Sequence, residues 1–393
     1  MEQVIIYVLI IIIIGVAIRT IFHNYTHSQL SKFHDSIPTI QIDETQFLIP
    51  TLSEPYLTLE KYTGQTKIVE YLKGHIKLAK SQGKSLPHTI LWGSGGLGKS
   101  TLVRATANHI GGRFFEIIPA NLRNTKELFA ILFKKQCVSC KMLNPFSANK
   151  CLNCRTDITS KFIPINQFRD YDILFFEECH GLKNEIEEAI YSLMQDGYIM
   201  VRYLGIDQKV FFPKITIMGA TTQLGNLTKP FRDRFGLELH LVPYTQNEMK
   251  IIITQYVMHK NYSITDDALE LVAKISHGIP RIAKKYIIDA MTILSGDDTM
   301  ITLVQINKIL TLLNVNEDGL NELHIAGMGV IYKRMLASKN GGAGVNSVAS
   351  AVGVPVEIWE EVYEPSLVYL GYLEYGSRGR RISETAIRKY FTK

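Results

Sequence analysis

Residues 93–100 read GSGGLGKS directly after the apolar segment HTILW, and no other feature narrows the folds open to this chain as much. A GxxxxGK[ST] pattern behind a buried strand and ahead of a helix-like stretch, here STLVRATANHI, is the layout of a phosphate cradle. Gly93, Gly95, Gly96 and Gly98 let backbone N–H groups turn onto a polyphosphate, and Lys99 reaches the β and γ phosphates. Ser100 offers a hydroxyl to Mg²⁺, and Thr101 follows it among the nucleotide-binding residues. A glycine-rich turn can be mere punctuation. Strand, full motif and helix together instead predict an ATP-binding α/β domain with a parallel sheet.

Such a domain also needs a strand ending in acids that organise the metal and activate water. Ile173–Phe176 is an apolar run of strand length, and it ends in Glu177 and Glu178. The first acid is expected in the Mg²⁺ shell and the second beside the attacking water. Glutamate at 177 stands where aspartate is usual, and one extra methylene could slow hydrolysis. A third strand, ITIMGATT, places Thr222 or its neighbour Thr221 where a γ-phosphate sensor would sit. In LTKPFRDRFG, Arg234 or alternatively Arg232 could reach a neighbouring subunit's ATP site. Arg281 lies near the start of a helix after the Gly-x-Pro of HGIPRIAKK.

These segments, in the order GSGGLGKS, LFFEECH, MGATT, LTKPFRDRFG and GIPRIA, resemble the RuvB family of Holliday-junction branch-migration motors within the AAA+ ATPases. The C-terminal VYEPSLVYLGYLEYGSRGRRISETA is similar to that family's winged helix, so the resemblance runs from about Pro55 to Lys393. It implies an AAA+ domain over 53–243, a helical lid over 244–316 and a winged-helix DNA-binding domain over 317–393. It further implies Glu178 as the water-activating acid, Thr222 as first sensor, Arg234 as arginine finger and Arg281 as second sensor. Thr63–Gln65 (TGQ) matches the adenine-side segment, and Gln195–Lys214 sits where the family carries a β-hairpin that grips a junction-recognition partner, and is shorter here. A hexameric ring acting on double-stranded or branched DNA is the expected assembly.

One stretch does not belong to that pattern. Cys137, Cys140, Cys151 and Cys154 form CxxC, ten residues, CxxC within 134–162, the spacing of two knuckles that close a tetrahedral Zn²⁺ site. A redox pair or an iron–sulfur cluster is the alternative. Lys134, Lys135, Lys141, Lys150, Arg155 and Lys161 face a single acid, Asp157, in this stretch, which suits either phosphate backbones or a solvated loop. The net charge of +6 is modest, so nucleic-acid contact is left to local clusters. In the C-terminal domain the helix with Glu357, Glu360, Glu361 and Glu364 would be repelled by phosphates, whereas Arg378, Arg380 and Arg381 on the wing could follow a duplex backbone.

At the N-terminus every residue from Val4 to Ile18 is apolar, glycine or tyrosine, and the run resumes at Ile21 and Phe22. Fifteen residues rise about 22 Å as a helix, short of a hydrocarbon core of roughly 30 Å. Extension to Phe22 with Arg19 snorkelling makes a span of residues 1–22 feasible, followed by a linker over 23–52. Arg19 and Lys32 follow the run and place the ATPase and DNA-binding domains in the cytoplasm, on a single-pass membrane anchor. The competing functional reading is a membrane-anchored ATP-binding scaffold with weak hydrolysis that recruits a partner through the zinc module. A clamp-loader-like assembly factor shares the fold but not the C-terminal match.

Overall fold

The computed structural model describes residues 57–160, 162–203, 206–294, 298–337 and 341–392. The apolar run Val4–Phe22 lies outside them, and no described helix is long and apolar enough to cross a membrane.

Five parallel strands form the central sheet: β1 (Thr89–Trp92), β2 (Phe114–Ile117), β6 (Ile173–Phe176), β9 (Thr216–Thr221) and β10 (Leu237–His240), in the order β10-β1-β9-β6-β2. β6 and β9 are buried along their whole length, as expected of parallel strands covered on both faces. Alternation divides their side chains between two cores. Leu91, Phe175 and Met218 face the helices Thr66–Gln82 and Lys99–Ile110, whereas Ile90, Phe176 and Ile217 face Thr125–Leu132 and Asn184–Asp196. β9 lies between β1 and β6, so the phosphate loop leaving β1 and the acids leaving β6 emerge at the same sheet edge, one strand apart.

The cysteine stretch forms its own antiparallel sheet, β4-β3-β5, from β3 (Phe133–Cys137), β4 (Leu143–Pro145) and β5 (Phe162–Asn166). Its strands begin at Phe133 and run to Asn166, beyond the expected limits of 134 and 162. Phe133 and Phe146, tilted against each other, with Phe162 edge-on to Phe146, root it in the second core, and a small core of its own groups Ile158 and Phe162 with Cys137 and Cys151. Next to it stands the hairpin of β7 (Tyr198–Tyr203) and β8 (Ile206–Phe211), joined by Asn166 Nδ2 donating to Phe211 O at 2.7 Å.

The lid packs the helices Gln246–His259, Asp266–Ile275, Pro280–Thr292 and Leu303–Leu312, with the short strands β11 (Ser263–Ile264) and β12 (Met300–Ile301) paired beside them. The C-terminal domain contains Glu322–Ala337, Val345–Val352, a helical run from Val356 to Tyr369 with a π segment at Trp359–Tyr363, the wing strands β13 (Leu373–Gly376) and β14 (Gly379–Ile382), and Glu384–Tyr390. Trp359 is its wholly buried centre, and a Cβ on Gly327 would lie 2.0 Å from the indole, so the glycine is what lets the first helix approach. The acid-bearing helix with Glu357, Glu360, Glu361 and Glu364 lies on the run Val356–Tyr369. The apolar stripe of Glu322–Ala337 is blurred in the sequence, because its buried face includes His324 and Gly327.

Two buried histidines tie this fold to pH. His88 accepts from Ile217 N–H at 2.9 Å and meets Met194 O at 3.1 Å, and burial pulls its pKa down to about 4. Burial, with a smaller contribution from His277, brings His324 to about 4 as well. Unfolding restores ordinary imidazoles near 6.5, so the stability from each neutral ring is fully present above that value. It is expected to be lost as pH falls from 6.5 towards 4, at up to about 3 kcal/mol per histidine. Urea midpoints measured between pH 7.5 and 4 check this, and a flat profile over that window would refute it.

Candidate functional site

The turn after β1 wraps the N-terminus of the helix Lys99–Ile110, with Gly93, Gly96 and Gly98 at positive φ. Gly96 sits at φ +83°, and a Cβ there would come within 2.7 Å of the Cβ of Arg281, so any side chain would push the lid off the loop. Lys99 is buried, with Nζ donating to Gly93 O at 2.8 Å and Ser94 O at 3.2 Å. Burial lowers its pKa, the carboxylate of Glu178 opposes that shift, and Arg281 reinforces it.

A cleft of about 460 Å³ opens beside this loop, lined among others by Lys99, Ser100, Thr101, Glu177, Glu178 and Arg281. A second of about 440 Å³ shares Gly98, Thr101, Pro280 and Lys284 with it and continues to Tyr62, Thr63, Tyr244 and Tyr256. The first carries Lys99, Arg281, Lys284 and Lys285 facing Glu177, Glu178 and Asp289. The second is aromatic, with the Tyr62 and Tyr244 hydroxyls paired at 2.9 Å, so together they suit a triphosphate at one end and a base at the other. Thr63 lines the base end, while Gln65 turns away and donates to Val242 O at 2.6 Å.

Ser100 Oγ donates to Glu177 Oε1 at 2.9 Å. A hydroxyl and a carboxylate side by side at the phosphate end form the hard-oxygen donor set that Mg²⁺ prefers, and the longer side chain of Glu177 still reaches it. Behind Glu177 lies Glu116 of β2, paired with Arg104 at 2.7 Å. Burial raises the pKa of Glu116, Arg104 opposes the rise, and Glu177 adds to it.

Glu178 occupies the left-handed region at φ 47°, ψ 55°, a strained conformation for glutamate that aims its carboxylate at the end of β9. There it accepts from Thr222 N–H at 2.9 Å and Thr222 Oγ1 at 3.2 Å, with His180 Nδ1 3.4 Å away. Thr221 is fully buried and bonded to His180, so Thr222 is the threonine turned towards the acid. Cys179 is buried against Gly219, and its thiol is pushed up to about 12 by burial, which makes it a packing residue.

Arg232 and Arg234 do not line either cleft of their own chain. Arg232 is clamped in two directions by Glu238, at 3.0 and 3.0 Å. Arg234 lies 3.9 Å over the ring of Tyr191 and donates to Gln195 Oε1 at 3.2 Å.

In the cysteine module the Sγ atoms of Cys137 and Cys154 are 3.6 Å apart, those of Cys140 and Cys151 3.5 Å, and all four lie within 4.8 Å of one another. One member of the basic set expected there is not on the surface. Lys135 is buried, donates to Ala148 O at 2.9 Å and rests over the rings of Phe146 and Phe162.

The wing also departs from expectation. Arg380 donates to Glu364 at 2.8 Å and Glu360 at 2.7 Å, and Glu364 is buried, so this arginine is committed to its own domain. An unpaired Glu364 would be costly there, so the guanidinium of Arg380 is held to its own domain. Arg378 is exposed and Arg381 half-buried on the same hairpin. Glu116, His180 and Glu361 were not singled out from the sequence for this site. His180 adjoins the two glutamates and could have been flagged, whereas Glu116 and Glu361 come from distant segments.

Residues 55–143 and 147–241 match the family model of the Holliday junction DNA helicase RuvB P-loop domain, and 317–391 match that of the RuvB C-terminal winged helix domain. The break at 144–146 falls between the two cysteine pairs. The chain is 32% identical over 341 residues to the Holliday junction branch migration complex subunit RuvB of Fervidobacterium nodosum, covering 84% of this chain and 86% of that one. The corresponding subunit of Lactobacillus helveticus is 29% identical over 360 residues, with 90% and 92% covered. The solved structure of the Thermotoga maritima RuvB Holliday junction branch migration motor superposes with a TM-score of 0.64 at 28% identity, covering 85% of this chain and 96% of that one.

Proposed function

The chain belongs to the RuvB family of Holliday-junction branch-migration ATPases, and on that premise we propose that it is an ATP-driven motor moving branched or duplex DNA, run by the residues gathered at the cleft. The observation that carries this reading is the convergence of Lys99, Ser100, Glu177, Glu178 and Arg281 on one cleft, with Thr222 bonded to Glu178. Mg²⁺ held beside Ser100 and Glu177 would neutralise charge on the β and γ phosphates. Lys99 and Arg281 bind the phosphates from the loop and the lid, and Glu178 takes the proton of the attacking water. Arg234 completes the site from the neighbouring subunit of a ring, expected to be hexameric. The 2.9 Å contact between Ser100 and Glu177 supports turnover over the scaffold reading, because the extra methylene does not misplace the carboxylate.

DNA is held by the exposed Arg378 and by Arg381, through backbone phosphates and without sequence choice. ATPase assays with and without duplex and four-way DNA test the motor. Replacing both arginines by alanine is expected to reduce the slope of log affinity against log salt by about 1.8, with nucleotide binding intact. A chain that neither binds DNA nor changes its turnover on adding it would contradict the reading. On the hairpin, Met200, Ile206 and Phe211 are exposed and support docking of a junction-recognition protein.

The four thiols fit a structural Zn²⁺. Sulfur pairs at 3.5 and 3.6 Å approach the edge of about 3.8 Å that a tetrahedron with Zn–S bonds of about 2.3 Å requires. Its small core holds Ile158 and Phe162 with the cysteines, and Phe146 and Ala148 pack against it, so a bound metal would add to the order of the module. Metal analysis of purified chain is expected to find one zinc per chain. Cys151→Ala should abolish it and open 134–162 to proteases while ATP binding survives. Thiols that react freely in metal-replete protein would exclude the site.

The run Val4–Phe22 supports a single-pass tether with the catalytic domains cytoplasmic. Carbonate-resistant pelleting of the full chain, lost on deleting residues 1–24, tests it.

A further inference from the structure

Of the acids on the helical run Val356–Tyr369, Glu360 and Glu364 are occupied by Arg380. Glu361 instead crosses to the ATPase domain. Its Oε1 accepts from Gln223 Nε2 at 2.8 Å and lies 3.5 Å from Thr222 Oγ1, and Gln223 in turn accepts from Asn226. Thr222 is the residue that holds Glu178 by its N–H and its hydroxyl. A hydroxyl has one proton to give, so Thr222 Oγ1 serves either a carboxylate or a γ phosphate, never both. The charge of Glu361 is also felt at the Lys99 ammonium, together with those of Glu178 and Glu177.

We propose that Glu361 is a positioning residue by which the DNA-binding domain restrains the sensor segment, holding Thr222 and Gln223 in the arrangement that ties up Glu178 until DNA engages the wing. The mechanical path is continuous. The wing and the glutamate-bearing helix move as a unit through Arg380, Glu360 and Glu364, so a duplex drawn to Arg378 and Arg381 displaces Glu361 as well. The same domain is fastened to the lid, where His277 Nε2 meets Asp318 O at 2.6 Å and Asp318 accepts from Tyr372 at 2.9 Å and Lys389 at 2.6 Å. Release of Glu361 loosens Thr222 and Gln223 from the arrangement that ties up Glu178, so that the γ phosphate can compete with Glu178 for the Thr222 hydroxyl, and it removes a negative charge from near the place where that phosphate binds.

This inference rests on the motor reading, and the experiment separates the two. Glu361→Ala is expected to raise DNA-independent ATP turnover by roughly 3- to 10-fold, the scale of one or two exposed hydrogen bonds, and to lower the stimulation by duplex DNA by the same factor. The KM for ATP should fall with it. Glu361→Gln, which retains an acceptor for Gln223 but not the charge, should lie between. Gln223→Ala should produce a similar rise, and the double variant no more than the larger single effect, since both break one contact. Glu357→Ala, an exposed acid on the same helical run, is the control and should be indistinguishable from the native chain. Unchanged or reduced basal turnover in Glu361→Ala, or additive effects with Gln223→Ala, would overturn the restraint. If the native chain shows no stimulation by DNA, the motor reading fails, while basal turnover and affinity for a fluorescent ATP analogue without DNA still decide whether Glu361 restrains the site.

Discussion

Glu178→Gln is expected to lower ATP turnover by about 10²–10⁴-fold, or roughly 3–5 kcal/mol of barrier, while ATP still binds. Glutamine has nearly the same shape and still accepts from Thr222 N–H, so the strained turn at φ 47° and the sensor contact survive. What is lost is the basic carboxylate proposed to take the proton from water. The phosphate-holding residues Lys99, Ser100 and Arg281 are untouched, so affinity should change by less than about tenfold. Rapid-quench turnover and equilibrium nucleotide binding on the same preparation make the measurement. Turnover within a factor of three of the native chain would remove Glu178 from the chemistry and turn attention to Glu177.

The second large effect belongs to a residue that touches neither cleft of its own chain. Arg234→Ala is expected to reduce turnover by about 10³–10⁵-fold if, as proposed, its guanidinium is delivered to the next subunit and offsets charge on the transferring phosphoryl group. Arg232→Ala should cost far less, since Glu238 already clamps that guanidinium. Arg234 is held over Tyr191 at 3.9 Å, a cation–π contact that can be exchanged for a phosphate. Mixing Arg234→Ala chains with Glu178→Gln chains provides the decisive check. Each is inert alone, but where an Arg234→Ala subunit supplies Glu178 and its neighbour supplies Arg234, a complete site forms and activity returns. A mixture as inactive as its components would rule out action between subunits.

Much of this site was legible because its parts are local in the chain. The phosphate loop, the strand ending in Glu177 and Glu178, the Thr221–Thr222 pair and the Gly-x-Pro before Arg281 each declare a turn or strand end over a few residues. Backbone geometry then dictates their use: glycines at positive φ, a helix N-terminus, the last residue of a buried strand. The cysteine pairs were legible for the same reason, since two knuckles carry their ligand spacing with them.

Charge, by contrast, could be counted but not assigned. Three wing arginines look alike in the sequence, yet Arg380 is bound to buried Glu364 while Arg378 is left to solvent. Lys135, counted among surface cations, lies buried between two phenylalanine rings. Glu116 stands beside Glu177 only because β2 pairs with β6, and Glu361 reaches Thr222 across 139 positions only because the winged helix folds back on the ATPase domain. Residue order settled the nucleotide chemistry and the family, because those depend on short segments with one workable backbone path. Which ionised groups face each other depends on strand order and domain packing, where desolvation makes every buried charge find a partner that sequence distance does not reveal.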